Sequence, residues 1–188
     1  IAMPAGKHYP VVLDMALSVV AKGKIEMALK TGSSIPEEWA LDKNGNPTTD
    51  PAEALKGTLR PIGDYKGSGL AIMVGLMSSV ICDAAIGPTL KNVYKDFDGG
   101  LNKGQLFMAI DVAHMTDVDA FKERMDKQID FIKSSPLAPG AGAIYLPGEI
   151  EYRNFYKQSK EGIEYPIEVI HELENISKNV GVDLPTWL

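Results

Sequence analysis

The hydrophobic pattern along this chain changes period several times, and each change marks an element. Residues 10–14 form a short, β-branched apolar run that predicts a buried strand ending on Asp14. From Ser18 to Lys30 the spacing turns helical, with an end expected near Gly32. Residues 104–111 read as a central strand and residues 143–146 as a short one. The clearest amphipathic stretch is 116–134, where Val118, Phe121, Met125, Ile129 and Ile132 recur at helical spacing with charges opposite. Thr116 with Asp119 resembles a capping box at its start. Residues 149–160 predict another helix. Pro166 opens a last one, with Ile167, Ile170 and Leu173 on its apolar face and Gly181 just past its end.

Two stretches depart from these periods. Residues 35–58 are rich in Pro, Asn, Asp and Gly and are expected to form a surface excursion. Within them, residues 43–46 carry a strong turn signal, and Asp50 reads as the N-cap of a short helix with Pro51 at its first position. Residues 69–85 are nearly continuously apolar, interrupted by Gly75, Ser78 and Ser79, with Asp83 near the end. That run is short for a membrane span and predicts a helix buried in a core. Strands alternating with helices predict an α/β class with at least a partly parallel sheet.

A length of 188 residues fits one domain or part of a larger one, and an apolar fraction of 45% is ordinary for a packed globule. The net charge of -6, with no basic run, argues against nucleic-acid binding, because phosphate neutralisation needs clustered Lys and Arg. The single cysteine, Cys82, sits in the apolar run and is expected to be a buried, inert thiol, which fits a reducing cytoplasm. The first residues lack the basic and apolar regions of a signal peptide. The chain starts without Met and enters almost at once into an expected core strand, so it reads as processed or as the C-terminal piece of something longer.

Candidate chemistry falls at three corners where a strand or loop turns into a helix. Asp14 ends the first strand; it either caps the following helix or orients a catalytic imidazole or a cofactor hydroxyl. Tyr65-Lys66-Gly67-Ser68-Gly69 precedes the apolar helix. An ammonium there opposes the helix dipole, which an anionic ligand would relieve, and Gly67 and Gly69 allow close approach of a ligand. The alternative is a solvated lysine on a glycine-rich loop. Pro147-Gly148-Glu149 precedes a helix, with Glu149 as a cap or as an acceptor from a ribose or an amide. His8, His114 and His171 lack metal-ligand spacing and read as surface or capping residues. No motif for a hydrolase, a metalloprotease or a redox dithiol occurs.

Taken in order, Val12-Leu13-Asp14-Met15-Ala16 running on to Ile25, residues 35–51, the Tyr65-Lys66 corner, residues 104–111, Ala138-Pro139-Gly140 and Leu146-Pro147-Gly148-Glu149 strongly resemble the malate/L-lactate dehydrogenase family of the non-Rossmann type. The resemblance implies an α/β fold with a mixed sheet flanked by helices, like that of L-sulfolactate dehydrogenase. It also implies hydride transfer between NAD or NADP and C2 of a 2-hydroxy or 2-oxo acid, and a cytoplasmic homodimer with no nucleic-acid or membrane partner. By carry-over, Asp14, Met15, Ala16, Ser18, Tyr65, Lys66, Pro147, Gly148 and Glu149 are cofactor contacts, with no metal. Asp14 is also the expected partner of a catalytic histidine. That histidine and the substrate-gripping arginine belong to an N-terminal half with no match here. The chain is therefore expected to be a C-terminal, mainly cofactor-binding portion that needs the N-terminal portion for turnover. The alternatives are a non-catalytic nucleotide-binding or dimerisation fragment, and a reductase of cyclic imino acids.

Overall fold

The computed structural model describes residues 1–93 and 95–185. Two compact units emerge, one made of Ile1–Asp14 with Val112–Leu188 and the other of Met15–Asp111.

In the first unit, strand β1 (Ala2–Met3) pairs antiparallel with β2 (Val11–Val12), in the register Ala2 with Val12 and Met3 with Val11. Backbone bonds continue from both edges of β2: the Leu13 N–H donates to the Ile1 carbonyl at 2.8 Å and the Val12 N–H to the Pro147 carbonyl at 2.9 Å. The expected strand at 10–14 is thus reduced to two residues, and Val12 and Leu13 stay exposed. Three helices follow in chain order. For the ones labelled α4 (Val118–Lys133), α5 (Glu149–Glu161) and α6 (Ile167–Val180), the predicted periods hold. Helix α4 buries Ile129, with Phe121, Met125 and Ile132 half-buried along the same stripe. Its cap is Asp117 rather than Thr116, the carboxylate accepting from the Ala120 N–H at 2.8 Å. Pro166 is the N-cap of α6, one position before its expected place, and Gly181 ends the helix in the left-handed conformation.

The segment 6–8 is held to α4 by two carboxylates. Asp126 accepts from the backbone N–H groups of Gly6, Lys7 and His8, at 3.1, 2.9 and 3.3 Å. Asp130 takes the Lys7 ammonium at 2.7 Å and the His8 ring at 2.8 Å. The backbone donors lower the Asp126 carboxyl below its ordinary value, and Lys7 with His8 does the same to Asp130.

The second unit holds α1 (Lys22–Thr31), β3 (Ala40–Leu41), α2 (Pro51–Ala54), β4 (Thr58–Leu59) and α3 (Tyr65–Ser79). Strands β3 and β4 pair antiparallel. A cluster of Val20, Ile25, Ile35, Ala40 and Ala54 forms the core, with Ala28, Trp39, Leu55 and Leu59 against it. Ile35, Ala40 and Ala54 come from the stretch read as a surface excursion. Its polar composition belongs to the turns, while its few apolar side chains point inward. The turn chemistry itself is as expected: Asp42 accepts from the Asn44 and Asn46 N–H groups at 2.8 and 2.9 Å, and Asp50 caps α2 by accepting from the Ala52 N–H at 2.8 Å.

Helix α3 starts at Tyr65, inside the corner expected to precede it, ends at Ser79 before the predicted end, and is not buried. Only Gly67 and Ser79 are, whereas Leu70, Ile72, Met73, Val74 and Leu76 are exposed. With the 3-10 turn that follows, Tyr65–Cys82 is long and apolar enough to cross a membrane by length and composition, and 11% of it is buried. Cys82 is exposed, because the run carrying it is. Residues 101–111 and 143–146 form no strand, and every strand pair among the described residues is antiparallel. A strand needs a neighbour on at least one edge, and no backbone lies in register beside these segments within the described residues.

Candidate functional site

The three corners singled out in the sequence fall in different units. Asp14, Pro147, Gly148 and Glu149 lie in the first; Met15, Ala16, Ser18, Tyr65 and Lys66 lie in the second.

In the first unit, β2 and the loop entering α5 are drawn together. Gly148 has φ +86°, and a Cβ there would stand 3.0 Å from both the Cβ and the carbonyl oxygen of Val12. Glycine is needed twice over, for the left-handed backbone and for the close approach. Between these segments runs a groove of about 760 Å³ whose walls include Val12, Leu13, Asp14, Tyr145, Pro147, Gly148, Tyr152 and Phe155. The structure therefore brings Asp14 and the Pro147-Gly148 corner onto one cavity. Asp14 is exposed on its wall and caps no helix; the N-cap position of α1 is Ala21.

Sequence reasoning missed the aromatic lining. Tyr152 and Phe155 are three residues apart, one turn of α5, and their ring centroids lie 6.5 Å apart. Tyr9 packs on Tyr152 from behind, at 3.6 Å between centroids. The spacing of aromatic residues along 145–156 was a visible signal. The charged lining of the groove is Asp14 and Glu151, with no Lys or Arg. Such walls suit a planar heteroaromatic ring and a ribose diol, and disfavour a phosphate or a carboxylate.

Glu149 is committed elsewhere. Its Oε2 accepts from the Lys133 ammonium at 2.6 Å and from the Leu146 N–H at 3.2 Å, and its Oε1 accepts from Arg153 at 2.7 Å. The Lys133 ammonium first, then the Leu146 N–H and the Arg153 guanidinium, hold its carboxyl below the usual range. The Arg153 partner, four residues on in the same helix, could have been read from the sequence. Lys133, on α4, could not.

In the second unit, the corner before α3 is strained. Asp64 takes φ +52° with ψ -118°, and its carboxylate receives Arg60 at 2.9 Å. Tyr65 and Lys66 follow, both exposed. Gly67 is explained by packing and not by a ligand, since a Cβ there would collide with the Ile62 carbonyl oxygen. A Cβ on Gly69 would meet nothing within 4 Å beyond its own stretch of helix, so the open approach expected of the pair belongs to it alone. Met15 and Ala16 are exposed. The Ser18 hydroxyl donates to the Val20 carbonyl at 2.8 Å, and Ser18 lines a groove with Ile72 and Leu76 of α3. Among the described residues no group of three or more His, Cys, Asp or Glu could hold a metal ion.

A family model described as malate/L-lactate dehydrogenase matches residues 1–174. The chain is 36% identical over 187 residues to the malate/(S)-sulfolactate dehydrogenase of Methanothermus fervidus, covering 100% of this chain and 53% of that protein. It is 34% identical over 151 residues to the NAD(+) ureidoglycolate dehydrogenase of Escherichia coli, covering 80% of this chain and 43% of that one. The solved sulfolactate dehydrogenase of Methanocaldococcus jannaschii superposes with a TM-score of 0.81 at 38% identity, covering 97% of this chain and 52% of that one. The chain thus spans about half the length of the curated relatives it matches. The fold class expected from the sequence is the one this likeness supports.

Proposed function

The chain belongs to the malate/L-lactate dehydrogenase family, and from that premise we propose that it is the cofactor-binding portion of an enzyme that moves a hydride between a nicotinamide dinucleotide and C2 of a small 2-hydroxy or 2-oxo acid. The observation that carries this reading is the groove framed by Asp14, Pro147 and Gly148. A nicotinamide cofactor fits the residues present. A carboxylate stands where a ribose hydroxyl or an imidazole N–H can donate to it, aromatic rings offer stacking faces, and a glycine lets backbone come close. The cofactor supplies the hydride chemistry; the protein supplies orientation and exclusion of water. The lining suits the nicotinamide-ribose end that NAD and NADP share, with the phosphates outside it.

The remaining assignments complete the proposal. On the family resemblance, Tyr65, Lys66, Met15, Ala16 and Ser18 of the second unit are also assigned as cofactor contacts. The reacting acid and the proton donor to its oxygen are held by the N-terminal portion of the enzyme, because none of His8, His114 or His171 matches the family's catalytic position. His8 is itself engaged with Asp130. The enzyme is a cytoplasmic homodimer, and α3 is covered by polypeptide and not by lipid.

The test is spectrophotometric. The full protein is expected to oxidise NADH or NADPH when given pyruvate, oxaloacetate or a related 2-oxo acid, and Asp14→Ala to lower kcat/KM at least about a hundredfold, the scale lost when a catalytic imidazole loses its partner. Unchanged nicotinamide absorbance across these acids and cyclic imino acids overturns the reading.

A further inference from the structure

We propose that Glu149 is a positioning residue that sets the shape of the groove and does not itself contact the bound dinucleotide. The inference rests on the groove being the dinucleotide site, and it revises the role the family resemblance gives this side chain. Glu149 is absent from the walls of that groove. It lines a separate cavity of about 160 Å³ on the other side of the corner, with His8, Tyr9, Ile129 and Lys133. Its side chain is 14% exposed, and both of its oxygens are taken by the three donors described above. A carboxylate so engaged has little acceptor capacity left for ribose hydroxyls.

What the carboxylate holds is the wall. Through the Leu146 N–H it fixes the residue before Pro147. The Pro147 carbonyl in turn accepts from Val12, and Gly148 packs on Val12, so the corner is fastened to the strand that ends at Asp14. Through Arg153 it reaches a second point of the same wall, because that guanidinium lies 5.0 Å from the Tyr145 ring centroid. Lys133 anchors the assembly to α4. Loss of the Glu149 charge, or of its Lys133 partner, therefore loosens the same wall. It weakens binding of the dinucleotide and leaves turnover of the bound complex nearly intact.

A variant cycle in the full protein tests this. NADH or NADPH binding is followed by nicotinamide fluorescence, and KM and kcat by steady-state assay, for Glu149→Gln, Lys133→Met, the double variant and Lys127→Ala. The last breaks only the surface pair with Glu123. Glu149→Gln and Lys133→Met are each expected to raise Kd and KM about tenfold, as for loss of one charge-assisted hydrogen bond, with kcat within about threefold of wild type. The double variant is expected to match Glu149→Gln, since the Lys133 contact is already lost there. Lys127→Ala is expected to bind as wild type does. Weakened binding in Glu149→Gln with intact binding in Lys133→Met makes Glu149 a direct ligand and overturns the proposal; unchanged binding in both overturns it as well. If Glu149→Gln does not fold, Lys133→Met alone decides between these outcomes. A wild-type protein that binds no dinucleotide removes the underlying reading and this proposal together, before any variant is compared.

Discussion

Gly148 concentrates the demands of the site in one residue. A side chain there would meet both a left-handed backbone, φ +86°, and the Val12 carbonyl oxygen at 3.0 Å. Gly148→Ala is expected to lower stability by about 1–2 kcal/mol from the backbone alone, read as a shift of the urea midpoint, and to weaken dinucleotide binding in parallel. A second prediction concerns charge. The Asp126 carboxyl is held below its ordinary value by the N–H groups of residues 6–8. Such a group stabilises the fold above its unfolded pKa, and the contribution fades as pH falls through the folded value. Thermal melts of wild type and Asp126→Ala should differ by a constant amount above about pH 4 and converge below it. A gap that widens on acidification contradicts the geometry. At this scale the sequence is legible where the chemistry is local. The Asp50 cap and the turn at residues 43–46 need only neighbours in the chain. Spacing points to Thr116 as the cap of α4, but the adjacent Asp117 is an equally good acceptor and takes the position. The pairing of Lys133 with Glu149 spans sixteen residues and follows no local rule.

Elements were legible as helices and much less so as strands, and the reason is the location of their hydrogen bonds. A helix satisfies its backbone within itself, so α4, α5 and α6 follow from periodicity, whereas α1 starts at Lys22 and not at Ser18, which bridges to Pro61 instead. A strand is completed by another segment, and residues 104–111 carry a strand-like sequence without forming one among the described residues. Burial was equally opaque. The period of a helix tells which of its faces match, but for an apolar run such as α3 it does not tell what covers them. The polar stretch 35–58 erred the other way, since three small or branched side chains anchor it to the core. That core gives a sharp test. Ile25 is 0% exposed among Val20, Ile35, Ala40 and Ala54. Ile25→Ala is expected to cost about 2–5 kcal/mol in denaturant unfolding. Ile72→Ala, at a position 59% exposed on α3, is expected to cost much less in this chain by itself. Equal costs would mean that α3 is packed more closely than described.

The surface of the whole molecule sets a larger expectation. The chain exposes 14588 Å², whereas a folded monomer of this mass, 20.4 kDa, exposes about 8,800 Å² by the usual scaling. Much of the surplus is apolar: Leu70, Ile72, Met73 and Val74 on α3, and Phe107, Met108 and Ile110 in the segment expected as a strand, all stand in water. Apolar area of this extent is costly to leave uncovered, at about 25 cal/mol per Å², and single soluble chains rarely carry it in continuous patches. The chain by itself is therefore expected to self-associate or to bind a hydrophobic dye strongly, as seen by sedimentation and fluorescence. Covering this surface with the remaining half of a family member should remove the dye signal. It should also slow amide exchange across residues 104–111, because a strand whose edges are paired exchanges only on opening. Fast exchange there in a fully assembled, active enzyme would mean that the segment is not a sheet strand in any state. The exposed face of α3 would then need a different occupant from the one argued for residues 104–111.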